Sequence, residues 1–288
     1  MYVKPSVPLS IGGVLDEAFR LYRRGFSKSW RLALCAQLVL AVPAVILRYQ
    51  MKSAASAAGN PRAALAVFMS PAVWLPYLII VLVAIGFYNA LIVHLDGCAN
   101  SNEQPARQSL ASGFRLFPRT LLLFLVMSVM LIVAGVGMGL AVAIGKAISP
   151  VISAVAIVAI LAAAIYVWGR AFLAHVALVV ENAQVFRSIE ISWTFIKDHW
   201  WRTATVYTVA LFIAVVFYFV MGFLDGIVAW GLHDSFGAAT VLTQLVAIAG
   251  GTVLMSFLPA VLLSMYYDLK LRKQGADLAG RVNTLAPQ

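Results

Sequence analysis

Four histidines, two cysteines and eleven acidic residues are the groups from which a catalytic or metal site would be assembled. Their spacing argues against one. His94 lies near Asp96 and His233 beside Asp234, while His175 and His199 stand apart, so nothing groups three or four ligands as a zinc site requires. Cys35 falls inside an apolar run and Cys98 in a connection, too few and too separate for a disulfide framework or a thiolate cluster. Gly12-Gly13 lacks the surrounding pattern of a phosphate-cradling loop. No catalytic residue, metal or cofactor is expected, and the chain does not read as an enzyme.

The remaining charged and aromatic residues suit a membrane surface better than a reaction. Arg170, in Val167-Trp-Gly-Arg-Ala-Phe172, stands within a long apolar block. Buried, it would need an acidic partner or a phosphate; near the block's edge, its stem would stay in hydrocarbon while the head reaches the lipid phosphates. Glu181 has Arg187 as a nearby partner, and Asp268 lies beside Lys270 and Arg272. With Arg20, Arg23, Arg24 and Arg115, and with Trp193, Trp200 and Trp201 at headgroup depth, these residues are candidate contacts for lipid headgroups or a protein partner. Gly135 and Gly139, in small-xxx-small spacing, and Gly250 with Gly251 are candidate helix-packing positions.

The elements that carry these residues follow from composition. Hydrophobic residues make up 62% of the 288 and charged ones 11%, against roughly a quarter charged in a soluble protein, which excludes an ordinary soluble domain. Apolar blocks at 32–50, 73–95, 119–144, 150–176, 202–224 and 238–266 are each near or above the roughly 20 residues that span a bilayer as helix. They lack the alternation of a membrane β-strand. The first block follows some thirty residues with their own amphipathic pattern, unlike a cleavable signal, so that span is expected to remain. Pro43, Pro76 and Pro259 are expected to kink their spans, whereas Pro150 after Ser149 suits a helix start.

The net charge of +10 raises the question of nucleic acid, but no RNA- or DNA-binding motif accompanies it and the basic residues fall between apolar blocks. An inward N-terminus gives the inner side Lys4, Arg20, Arg23, Arg24, Lys28, Arg31, Arg107, Arg115, Arg119, Arg187, Lys197, Arg202, Lys270, Arg272, Lys273 and Arg281. The outer side then receives only Arg48, Lys52, Arg62 and Lys146. By the positive-inside rule both termini are expected in the cytoplasm. The outer connections read as a loop at 51–72, a tight turn at 145–149 and a loop at 225–237.

A unit recurs before each odd-numbered span: Leu15-Asp-Glu-Ala-Phe-Arg-Leu-Tyr22, Leu110-Ala-Ser-Gly-Phe-Arg-Leu-Phe117 and Ile189-Glu-Ile-Ser-Trp-Thr-Phe-Ile196. Each places a small residue (Ala18, Gly113, Ser192) before an aromatic (Phe19, Phe114, Trp193). Leu15, Phe19, Tyr22 and Phe26 share one helical face, as in a helix lying in the interface. The expected architecture is all-α and polytopic: one six-span domain over 1–288, with units 9–95, 107–176 and 186–268, each an interfacial helix and a transmembrane hairpin, and a cytoplasmic tail over 269–288.

Leu9-Ser-Ile-Gly-Gly-Val-Leu-Asp-Glu-Ala-Phe-Arg-Leu-Tyr22, Val180-Glu-Asn-Ala-Gln-Val-Phe-Arg-Ser-Ile-Glu-Ile-Ser-Trp193 and Tyr266-Tyr-Asp-Leu-Lys-Leu-Arg272 resemble the bacterial glycerophosphoryl diester phosphodiesterase membrane domain family, with the related YciC-like inner-membrane proteins. The resemblance spans nearly the whole chain. It implies a six-span module of the bacterial inner membrane, in some members joined to a separate phosphodiesterase domain whose catalytic motifs this chain does not carry. The expected function is a non-catalytic membrane accessory or envelope-homeostasis module that interacts with phospholipid or a membrane or cytosolic protein, without nucleic acid. The alternative is a transporter or lipid-handling protein for a small or phosphorylated anion.

Overall fold

A computed structural model of the chain describes residues 5, 7–58, 70–102, 104–232 and 235–285. Lys4, Arg62, His233 and Asp234 lie outside the described residues, as do the side chains of Arg48, Lys52, Pro76, Lys146 and Arg281. The described residues form nine helices and no strand: α1 (Ile11–Ala58), α2 (Pro71–Ala99), α3 (Ala106–Ile148), α4 (Pro150–Ala171), α5 (Ala174–Val180), α6 (Val185–Ile196), α7 (Trp200–Gly231), α8 (Phe236–Met255) and α9 (Phe257–Leu285). Six stretches are long and apolar enough to cross a membrane: Ile11–Leu47, Leu78–Ala99, Ala106–Gly145, Val151–Val180, Trp200–Gly231 and Gly237–Lys273. The chain is an integral, multi-pass, all-α membrane protein.

Local chemistry sets several boundaries. Ser149 caps α4, its hydroxyl accepting from the Val151 amide at 3.3 Å, and Pro150 begins the helix without an amide to satisfy. The turn before it is tight because Gly145 has no side chain; a Cβ there would lie 2.2 Å from Ser153 Cβ. The sixth span is broken at Ser256, between α8 and α9. Pro259 accounts for the place: it has no amide for the carbonyl of Met255, four residues back, and its ring would crowd that carbonyl. The fourth span is likewise interrupted, at Phe172 and Leu173.

The interfacial helices differ from expectation. Only the third unit has a separate short helix, α6. In the first two the amphipathic segment runs without a break into the span, as α1 and α3. No residue between Phe26 and Arg31, or between Phe117 and Leu121, forces a break, and Pro118 lies within α3 without ending it. The third segment is cut off by the turn at Lys197–His199. The buried stripe of α1 is Val14, Ala18, Leu21, Gly25 and Ser29, while Phe19, assigned above to the apolar face, is exposed beside Phe257. Part of what reads as loop at 51–72 and 225–237 is helix, since α1 continues to Ala58 and α7 carries Asp225 within its last turns. Beyond Leu269 the chain continues as helix to Leu285.

The three segments that align in sequence pack alike. Val14, Ser109 and Ser188 are buried, and so are the small residues Ala18, Gly113 and Ser192. Phe19 and Phe114 are exposed and Trp193 is half-buried. Ala18 shares an apolar cluster with Val261 and Met265 of α9. Gly113 lies against Gly86 and Ala90 of α2, and Ser192 Oγ donates to the Arg170 carbonyl of α4 at 2.7 Å. Each segment meets the second span of the preceding hairpin, and the first closes back on the last.

The main core lies toward the end that carries these segments, where Leu21, Ile92, Leu95, Leu123, Leu178, Ile196, Leu263 and Tyr266 are buried together. The far halves of α3, α4 and α7 are bare, with Val133, Val155 and Phe219 among their exposed side chains. In a bilayer that surface meets lipid tails and carries no hydrophobic penalty.

Helix contacts at glycine supply a test. A Cβ on Gly113 would lie 2.5 Å from the Ala90 amide nitrogen and 2.6 Å from the Gly86 carbonyl oxygen, both backbone, whereas one on Gly139 meets nothing within 4 Å. Gly113→Ala is expected to lower stability by about 1–3 kcal/mol through overpacking, and Gly139→Ala to raise it by up to about 1 kcal/mol through helix propensity. Unfolding of the purified variants in one detergent would measure both; equal stability of the two would contradict the packing described.

Candidate functional site

The polar end of the bundle is organised around Asp268 on α9, which is 4% exposed. Its Oδ1 accepts from the Leu9 amide at 2.8 Å. Its Oδ2 accepts from Arg202 Nε at 3.1 Å and Arg272 Nε at 3.0 Å. The Nη2 atoms of both arginines donate to the Leu9 carbonyl, each at 2.6 Å. Three segments distant in sequence meet at this point: the residues preceding α1, the start of α7, and two successive turns of α9. A buried carboxylate is tolerated because both oxygens are hydrogen-bonded and its charge is opposed by two guanidinium groups.

Two further carboxylates are held by tyrosines of the same helix. Glu181, after α5, accepts from Tyr266 Oη at 2.7 Å and from Lys270 Nζ at 2.5 Å. Asp96, near the end of α2, accepts from Tyr267 Oη and from Asn100 Nδ2, the latter at 2.9 Å. Arg119 of α3 donates to the carbonyl and the side-chain oxygen of Asn182, at 3.2 and 2.8 Å, and so fixes the turn between α5 and α6. Asn182 adopts φ 49° there, in the left-handed region that asparagine tolerates. Adjacent tyrosines thus reach two different carboxylates, one on each side of α9.

Deeper in the bundle is a buried knot of Asn89, Thr120 and His175, from α2, α3 and α5. Asn89 Oδ1 pairs with His175 Nε2 at 2.7 Å, and Asn89 Nδ2 donates to Thr120 Oγ1 at 3.1 Å and to the Gly113 carbonyl at 3.2 Å. His175 stacks on Tyr88 and meets the edge of Phe124. Polar groups shielded from water in this way bind the helices that supply them.

Arg170 is neither ion-paired nor extended toward the surface. At 8% exposure, its guanidinium lies between two rings, 4.8 Å from the centre of Tyr166 and 4.7 Å from that of Trp193. Its Nη2 donates to the Lys197 carbonyl at 3.4 Å, and its Nε is buried without a hydrogen-bond partner. Cation–π contact on both faces offsets part of the cost of burying the charge.

Beside this sandwich a crevice of about 600 Å³ separates α4 from α7, with α3 behind it; Leu131, Ala134, Ile165, Trp168, Ala204 and Tyr207 are among its walls. The two helices touch near the polar end, where Phe172 and Tyr207 rings lie 4.8 Å apart and Trp200 packs over Gly169. A second opening of about 760 Å³ shares Ile165 and Trp200 with the first and is lined by Tyr166, Lys197, Asp198, His199, Trp201 and Arg202. The crevice is therefore apolar along the bilayer and charged at its mouth.

The residues singled out in the sequence are divided among these features. Asp268 and Arg272 form one centre, Glu181 and Lys270 another, and Arg170 with Trp193 a third, with Trp200 and the 80%-exposed Trp201 at the mouth. Glu181 pairs with Lys270, leaving Arg187 with Glu190 at 2.8 Å on an exposed helix face. Arg20, Arg23 and Arg115 are exposed, and Arg24 is half-buried. Gly250 and Gly251 lie against Met221 and Gln37. Gly135 and Gly139 are not at a helix contact: both face open space, because their side of α3 is turned to lipid. His94 and Asp96 point to different partners, Ser109 and Tyr267. Among the described residues no three His, Cys, Asp or Glu side chains gather as metal ligands would.

Sequence reasoning missed Asn89, Thr120, Tyr166, Tyr266, Tyr267 and the Arg202–Asp268 pair. Asn89 leaves a trace, as a lone amide in an apolar run; Tyr266 and Tyr267 stand in the closing motif with no sign of the carboxylates they reach, and nothing local pairs residues 66 positions apart. Comparison with protein-family models, with curated proteins and with solved structures finds no match.

The two kinds of ion pair predict unequal effects. Asp268→Ala leaves two arginines without their carboxylate and is expected to cost about 3–5 kcal/mol, against about 0–1 kcal/mol for Arg187→Ala on the exposed face. Denaturant or thermal unfolding of both variants would check this; comparable losses would contradict the role given to Asp268.

Proposed function

We propose that the chain is a non-catalytic module of a bacterial inner membrane, with both termini cytoplasmic, that engages membrane phospholipid in an envelope-homeostasis role. The observation that carries this reading is the apolar crevice between α4 and α7, open sideways beside an end braced by buried hydrogen bonds. A route for small hydrophilic ions would instead need polar groups along its length. Here Asn89, Thr120 and His175 bind helices to one another, and the walls of the crevice are largely aliphatic and aromatic. The basic end supports contact with anionic headgroups, and the resemblance to an inner-membrane family agrees with it.

Two measurements test the reading. Mass spectrometry of protein extracted in mild detergent is expected to find phospholipid retained reproducibly, while liposomes containing the protein alone should show no flux of phosphate or glycerol phosphate. Absence of retained lipid together with protein-dependent flux would overturn the proposal in favour of transport. For orientation, in a background with Cys35→Ser and Cys98→Ala, Ser235→Cys should react with an impermeant maleimide in spheroplasts and Ser10→Cys only after lysis; the opposite pattern would reverse the assignment.

A further inference from the structure

We infer that the crevice and its mouth form a site for a single anionic phospholipid, with an acyl chain between α4 and α7 and the phosphate beside Lys197, in the field of the Arg170 charge just behind the mouth; this assignment rests on the lipid-engaging reading above. Its first support is shape. The crevice of about 600 Å³ lies within the range of about 300–1,000 Å³ typical of ligand cavities, and its walls offer a chain little but hydrocarbon and ring surface. It continues into the mouth through the shared residues Ile165 and Trp200.

Charge supplies the second support. Arg170 borders neither opening and is more than nine-tenths buried, but no acidic side chain of the described residues is paired with it, so its charge stands uncompensated behind the mouth. The groups that hold it also build the mouth: Tyr166 lies under its guanidinium and Lys197 accepts from it through the backbone carbonyl. Lys197 itself is exposed there. Arg202 also lines the mouth, but its donors are engaged by Asp268 and Leu9, and Asp198 is the opposing carboxylate on the rim. A phosphodiester with net negative charge is the lipid chemistry that complements Arg170 and Lys197, and charge-assisted donors favour it over a neutral headgroup. Trp200 and Tyr166, with ring centres 6.2 Å apart, stand where chain gives way to headgroup, the depth at which amphipathic rings reside.

Native mass spectrometry of the full chain, titrated with phosphatidylglycerol or phosphatidylcholine, tests the site. Wild-type protein should bind one phosphatidylglycerol in preference to phosphatidylcholine. Lys197→Gln, at an exposed position, should weaken phosphatidylglycerol binding about tenfold and leave phosphatidylcholine unchanged. Ala164→Phe, which fills the crevice, should reduce binding of both, and Arg170→Gln should repeat the effect of Lys197→Gln where it folds. If wild-type protein retains neither lipid, this site and the broader reading both fail. If it retains phosphatidylglycerol and the Lys197 and Ala164 variants retain it equally, lipid engagement stands and this location for it is overturned.

Discussion

Within a bilayer, apolar side chains gain little by leaving lipid tails for one another, so the polar groups that lipid cannot satisfy select one helix arrangement over others. Asp268 makes the strongest such demand in this protein. Its carboxylate is nearly inaccessible, and every group that satisfies it comes from a different place along the chain: the Leu9 backbone, Arg202 at the head of α7, and Arg272 one turn along α9. The same residues hold the Leu9 carbonyl, so the approach to α1 and the end of the sixth span are tied together. Tyr266 and Tyr267, next to Asp268, extend the arrangement to Glu181 and Asp96. The core of the bundle gathers around this end, while its far end opens into lipid.

Features that depend on local chemistry were legible in the sequence. Six spans follow from the length of the apolar blocks and the α4 cap from Ser149-Pro150; the alignment of Ala18, Gly113 and Ser192 was visible, but their burial was not, since the apolar pattern pointed to the Phe19 face instead. The break at Ser256 sits where Pro259 would place it, although the sequence alone gives a kink and a full interruption the same signature. Features that depend on which surfaces meet were not legible. Gly135 and Gly139 have the spacing of a packing motif and face lipid, because spacing defines a helix side without saying what covers it. Arg170 is buried with no carboxylate paired to it, and the Trp193 ring that shields it could not be foreseen because it lies across a turn on another helix. The knot at Asn89 needed three helices in register before its purpose could be seen.

The division between a braced polar end and an open lipid-facing half bears on function. Contacts that could have lined an aqueous route are engaged in joining helices. What remains accessible at the junction of α4 and α7 is an apolar surface that ends at Lys197 and the Arg170 sandwich. Gly169 matters here, since its missing side chain lets Trp200 approach α4 where the crevice meets its mouth. The cyclic contact of each amphipathic segment with the preceding hairpin places this junction between the second and third hairpins, where α6 and the turn after it bring Trp193 and Lys197 to the fourth span.

The claim on which this account rests is that Asp268 and Arg202 are coupled in holding the bundle together. A double-mutant cycle of Asp268→Asn and Arg202→Gln, read by reversible unfolding in a single detergent, measures that coupling directly. The account predicts that the double variant is more stable than the sum of the single losses implies, by roughly 1.5 kcal/mol or more, whereas additivity within about 0.5 kcal/mol would contradict it.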